Sequence, residues 1–225
     1  MGVICIIIYK NVSLYKMDRW MLNLDLLFES NALSDYLMEA EEVDFSHPLI
    51  REQQEKWNWQ ELSDIEKIKL AYEFVRDQIP HSWDIQSEII TRTASEVLEK
   101  GTGICFAKSN LLAALLRGMG IPCGFCYQRL MIFDTPEKGY SLHGFNAVYI
   151  ESLEKWVRID ARGNKPGVQA EFSPTSEKLA FTVDEKLGEK TFPYVFVRPN
   201  EKTMQVLKES NNVVEMYKYH LPDQL

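Results

Sequence analysis

Apolar positions along the chain change their spacing several times, and each change predicts an element. Between Asp18 and Glu41 they first alternate through Trp20, Leu22, Leu24 and Leu26, like a strand, and then take helical spacing at Leu33, Tyr36, Leu37 and Met38. Val43 to Pro48 reads as a connector, and Ile50 to Trp59 as a helix. Ser63-Asp64-Ile65-Glu66 has the form of a capping box, and Ile65, Ile68, Leu70, Ala71, Phe74 and Val75 make one apolar face of the helix it opens, ending before Pro80. Thr93 to Glu99 reads as a short helix that delivers the chain to Gly101. Gly101-Thr-Gly-Ile breaks the pattern just before Cys105, and a run of good helix formers follows until Gly118, Gly120 and Pro122 stop it.

Beyond that stop the period changes to that of strands. Cys123 to Phe133, the stretch through His143 to Ile150, and Lys155 to Asp160 are separated by turn-forming residues, which predicts an antiparallel meander behind the buried helix and an α+β fold. In the last third, Lys178 to Val183 and Phe192 to Val197 read as strands, Asn200 to Lys208 as a helix, and Val213 to Tyr219 as a short terminal element. No repeat or linker divides the chain, so residues 17–225 are expected to form one domain.

The chain has 225 residues, 45% of them hydrophobic, enough for a sizeable core. Its net charge of -8 and its lack of a Lys/Arg-rich run exclude nucleic acid and anionic membrane as expected partners. Residues 3–8, Val-Ile-Cys-Ile-Ile-Ile, are too few to span a membrane and have neither a basic flank nor a small-x-small cleavage site. Residues 1–16 are therefore expected to be an edge strand or a non-native extension upstream of Met17. Cysteines at 5, 105, 123 and 126 make no disulfide framework, which points to a reducing compartment and a cytoplasmic location.

Chemistry changes the picture at Cys105. In the first turn of a helix, free N–H groups and the positive end of the dipole lower a thiol's pKa and make it a nucleophile. Such a nucleophile needs a base, and His143 in Leu-His-Gly-Phe-Asn-Ala-Val-Tyr-Ile lies on a predicted central strand. The next strand ends in Asp160, which completes an order of nucleophile, base and orienting acid. Arg162, two residues on, is placed behind the acid. Cys123 and Cys126 form C-x-x-C, but on a strand a separation of three sends the side chains to opposite faces, and no second pair or spaced histidines complete a metal site.

The Gly-x-Cys at a helix start, the order Cys105, His143, Asp160, and the placement of the last two on adjacent strands resemble the transglutaminase-like superfamily, in particular its bacterial cysteine-peptidase-like members. The resemblance covers about residues 65–163. It implies a papain-like core, with the catalytic cysteine at the N-terminus of a buried helix packed on an antiparallel sheet. It also implies thiol-dependent acyl transfer at an amide, by way of a thioester, to water (cysteine peptidase or amidase) or to an amine (transglutaminase). The partners would be a peptide or protein substrate and, for transfer, an amine acceptor, with no cofactor and no metal.

Such a fold needs a segment from His81-Ser-Trp-Asp84 to wall the cleft. Trp83 is the candidate wall, its indole with the Cys105 N–H the candidate oxyanion donors, and His81 and Asp84 the polar rim. No calcium-loop pattern is present, and the Arg-Gly-Gly that precedes the cysteine of arylamine N-acetyltransferases is replaced here by Gly-Thr-Gly-Ile. The alternative is a non-catalytic interaction module on the same fold.

Overall fold

The structure is a computed structural model describing residues 26–225; the strand-like stretch 18–25 and the whole of the expected extension 1–16 lie outside the described residues. In chain order the elements are β1 (Leu27–Phe28), α1 (Pro48–Glu55), α2 (Asp64–Gln78), α3 (Ala94–Lys100), α4 (Cys105–Gly118), β2 (Cys123–Met131), β3 (Tyr140–Ile150), β4 (Lys155–Ile159), β5 (Lys190–Thr191), β6 (Tyr194–Val195), α5 (Glu201–Glu209) and α6 (Val213–Tyr219). Strands β4-β3-β2-β5 form an antiparallel sheet in that order, and β1 pairs with β6 in parallel. This is the α+β architecture expected of a transglutaminase-like core.

Local chemistry explains where the helices begin. At α2 the Ser63 hydroxyl accepts from Glu66 N–H while the Glu66 carboxylate accepts from Ser63 N–H, and Thr93 with Glu96 repeats the device at α3. The α4 helix is buried from Cys105 to Arg117, all round, as a helix at the centre of a core must be. The sheet covers it with one face: Leu142, Val148 and Ile150 of β3 share the main core with α4, whereas Phe145 and Ala147 point the other way, into a second cluster with Tyr36 and Val195. Cys123 and Cys126 divide in the same manner between the two clusters, on opposite faces of β2 and both free.

Some elements differ from expectation. The α1 helix starts at Pro48 and ends at Glu55, with Asn58 in the left-handed region before a separate 3-10 turn at Trp59–Glu61. The helical spacing around Tyr36 produces only a 3-10 turn, Leu33–Leu37. Lys178 to Val183 is not a strand: it makes one isolated bridge, Glu171 to Lys178, and the Ala180 N–H is drawn to the Asp160 carboxylate instead. Phe192 to Val197 is divided at Pro193, which has no N–H to give a ladder. Tyr194–Val195 turns to β1, and Phe196 bridges Phe125.

Candidate active site

Two glycines help build the site, one by its backbone conformation and the other by close packing. Gly101 takes φ 67° to end α3, a conformation other residues adopt at a cost. Gly144, next to His143, lies against the first turn of α4, where an added Cβ would stand 3.0 Å from Phe106 Cδ1. The start of α4 can therefore approach β3 at the level of His143.

Cys105 is the first residue of α4 and is 7% exposed; His143 is 5% exposed. The Cys105 thiol is near enough to the His143 ring to bear on its pKa. The ring's Nε2 meets Asp160 Oδ2 at 2.8 Å, which leaves Nδ1 as the nitrogen for the sulfur. Asp160, fully buried just beyond β4, also accepts from Arg162 N–H (Oδ1, 3.0 Å) and Ala180 N–H (Oδ2, 3.0 Å). Burial alone would neutralise both partners. The Asp160 charge and its hydrogen bond, with Cys105 adding to them, overcome that and raise the His143 pKa well above its ordinary value. The imidazolium, with the N–H donors of Ala180 and Arg162, in turn holds Asp160 below the ordinary carboxylate range. The structure thus pairs His143 with Asp160 and sets Cys105 close enough to the ring to bear on its charge.

The His81-Ser-Trp-Asp84 loop supplies the opposite side. His81 is buried, and burial, with Arg162 nearby, keeps its pKa well below the usual value, so the ring is neutral. Its Nε2 faces the Cys105 N–H at 3.2 Å and its Nδ1 the Trp83 N–H at 3.3 Å. A neutral imidazole accepts at only one nitrogen. We assign the acceptor to Nε2, because the Cys105 amide is buried and has no water to turn to, whereas Trp83 is partly exposed. The amide expected to serve as a free oxyanion donor is therefore engaged by His81 at rest.

Trp83 is stacked face to face on Tyr217 at 4.5 Å and lies 5.7 Å from Phe133, so its contacts here are those of a wall. Asp84 sits at the rim, paired with both guanidinium nitrogens of Arg162 and with Lys165 Nζ at 2.6 Å. Burial would raise its carboxyl, but these cations bring it down to about 2. Arg162 thus holds the carboxylate of Asp160 through its N–H and the 81–84 loop through its side chain.

Other residues at the site gave no signal in the sequence. Lys108, one turn after Cys105, is buried, donates its ammonium to the Ile79 carbonyl, and is lowered by desolvation to about 7. Phe181 stands edge-on to His143 at 5.0 Å, and Tyr217 edge-on to His81 at 6.2 Å. Each is an ordinary residue in its own segment and acquires its place only through the fold. A cavity of about 270 Å³ lined by Arg76, Asp77, Asp84 and Lys165 reaches His81 from outside. Among the described residues no group of three or more His, Cys, Asp or Glu is placed to hold a metal ion, and no helix is long and apolar enough to cross a membrane.

The family described as the transglutaminase-like superfamily matches residues 54–161. Among solved structures, the chain is similar to a candidate cysteine protease from Cytophaga hutchinsonii, with 14% identity, a TM-score of 0.44 and coverage of 59% of this chain and 43% of that one. It is also similar to a TGase, with 17% identity, a TM-score of 0.41 and coverage of 82% of this chain and 51% of that one. The chain thus spans about half the length of each, and likenesses this loose bear on neither substrate nor reaction. No curated protein sequence matches the chain.

Proposed function

Residues 54–161 belong to the transglutaminase-like superfamily, and from that premise we propose that the protein is a thiol-dependent acyl-transfer enzyme working on amides through Cys105, His143 and Asp160. The observation that carries this reading is the 2.8 Å contact of His143 Nε2 with the buried Asp160 carboxylate, which leaves the ring's other nitrogen for the thiol at the N-terminus of α4. The Cys105 sulfur attacks the carbonyl carbon while its proton resides on His143. The C–N bond breaks, the proton leaves with the amine, and a thioester remains on Cys105. Water, deprotonated by His143, releases a carboxylic acid, or an amine does so to give a new amide, and the thiol is restored in either case.

His81 stands beside the developing oxyanion. With substrate present its proton resides on Nε2, and this donor and the released Cys105 N–H hold the oxygen, each worth about 3 kcal/mol of barrier. This places His81, rather than the Trp83 indole, next to the reacting carbonyl.

The test is the pH dependence of Cys105 alkylation by iodoacetamide, read by mass spectrometry. A thiolate–imidazolium pair gives a rate that is nearly flat from pH 5 to 8, and His143→Ala restores the steep rise of a free thiol. A steep rise already present in the unaltered protein overturns the proposal. Glutaminyl peptides offered with and without an alkylamine then separate hydrolysis from transfer.

A further inference from the structure

The reactive pair is covered by the chain itself. On one side α6 brings Tyr217 over Trp83, at 4.5 Å and nearly parallel, and edge-on to His81 at 6.2 Å, the residue whose Nε2 meets the Cys105 N–H. On the other side the chain passes His143. The β4 strand pairs with β3 only from Asn146 to Ile150, so among the described residues the β3 edge around His143 has no strand partner in that sheet. That edge is taken by the segment after α6: the Leu142 N–H donates to the Pro222 carbonyl at 2.7 Å. Residues 217–222 therefore run from the thiol side of the site to the imidazole side, ending in a backbone hydrogen bond one residue from His143.

The middle of this segment, Lys218 to His220, is exposed. Val213 and Met216 are the buried residues of α6, and Tyr217, Leu221 and Leu225 pack partly against the main core. A groove of about 650 Å³ lies between α5 and α6, bounded by Lys202, Val206, Met216, Tyr219 and Pro222. Farther along, Asp223 meets Arg129 at 3.7 Å, and Lys202 holds the Gln224 and Leu225 carbonyls at 3.4 and 3.1 Å, contacts that are largely exposed. Exposed ion pairs of this kind hold weakly. Cys105 and His143 are 7% and 5% exposed with the segment in place, and the segment's own side chains are at most partly buried.

We propose that residues 217–222 occupy the seat of a peptide substrate, Tyr217 at the end of α6 filling a side-chain position and Pro222 meeting the free edge of β3, and that substrate reaches Cys105 by displacing them. The proposal rests on the acyl-transfer reading above and names its substrate class: a peptide in extended form, recognised through its backbone at Leu142 and through an aromatic or apolar side chain between Trp83 and His81. Strand addition suits this edge because main-chain hydrogen bonds supply affinity and pockets for side chains supply selectivity.

The experiment loosens the segment in the full-length chain by Tyr217→Ala and, separately, Leu221→Ala. Hydrogen exchange of the Leu142 amide and alkylation of Cys105 at pH 6 are followed, with Cys123 and Cys126 as internal controls for general unfolding. In at least one variant, Leu142 exchange and Cys105 alkylation should both accelerate tenfold or more while Cys123 and Cys126 stay unreactive. A synthetic peptide of residues 217–225 at millimolar concentration should then slow Cys105 alkylation again by twofold or more, and a scrambled peptide should not.

Unchanged Leu142 exchange in both variants, faster exchange without faster alkylation, parallel acceleration at all three cysteines, or no effect of the peptide would each overturn the proposal. These outcomes concern the size of the rate. The acyl-transfer reading is judged on its pH dependence, so either can fail alone.

Discussion

Replacing Gly144 by alanine puts a methyl group where α4 and β3 come closest. The added Cβ would lie 3.0 Å from Phe106 Cδ1 and 3.4 Å from Tyr127 Cε1, against the roughly 3.5–4.0 Å at which carbon atoms attract. Phe106 and Tyr127 are each 2% exposed, so neither ring can turn aside without opening a void. Two effects oppose each other. Alanine restricts the unfolded chain and by itself favours folding by about 0.4–1 kcal/mol, whereas overpacking of a rigid core costs about 1–3 kcal/mol. The clash should win, with a net loss of about 1–2 kcal/mol in urea unfolding.

Phe106 is the neighbour of Cys105, so relief of the clash also moves the sulfur relative to His143. A displacement of about 1 Å can cost on the order of 100-fold in rate. The iodoacetamide profile of the variant should therefore steepen toward that of a free thiol. A variant as stable as the parent with an unchanged profile would refute the claim that contact with α4 is what requires glycine there.

Asp160→Asn removes the charge that raises His143; turnover should fall by about 10²–10⁴-fold, and the alkylation profile should shift toward His143→Ala. Stability should respond to pH through two opposed groups. His143, raised on folding, contributes stability that is whole below its unfolded value near 6.5 and is lost as pH climbs through the folded value. Lys108, lowered from 10.5 to about 7, binds more protons unfolded than folded between those values, so its contribution grows as pH rises. Lys108→Met should therefore make the urea midpoint fall more steeply from pH 7 to 9 than in the parent, and parallel curves would contradict the assignment. Burial pushes Cys123 up to about 12 and raises Cys126 as well, and the two face opposite sides of β2. Mild oxidation should give no Cys123–Cys126 disulfide, and alkylation at pH 8 should reach neither until the chain unfolds, as intact-mass measurement will show.

The amino-acid order by itself determined the features that arise from near neighbours. The Ser63–Glu66 capping box, the glycine break before Cys105 and the turn residues between β2, β3 and β4 act within a few positions, so the start of α2, the start of α4 and the meander could be read directly. Cys105, His143 and Asp160 were legible for the same reason: each sits at the end or in the middle of an element whose period was clear. Where two influences competed, local pattern misled. Lys178 to Val183 alternates like a strand, yet a buried carboxylate 20 positions away captures the Ala180 N–H and holds the segment out of the sheet.

Tertiary structure alone decided what surrounds the sulfur. Nothing near Lys108 in the chain marks it for burial beside the Ile79 carbonyl, and nothing near Tyr217 marks it for stacking on Trp83, because each contact joins elements whose relative placement follows from packing of the whole core. The engagement of the Cys105 N–H by His81 is of the same kind, a meeting 24 residues apart that depends on the loop after α2 being pinned by Lys108 and Arg162. Spacing along a chain fixes which side chains share a face of an element. Which faces then meet is settled by the close-packing of apolar surface from distant segments, and that is a property of three dimensions.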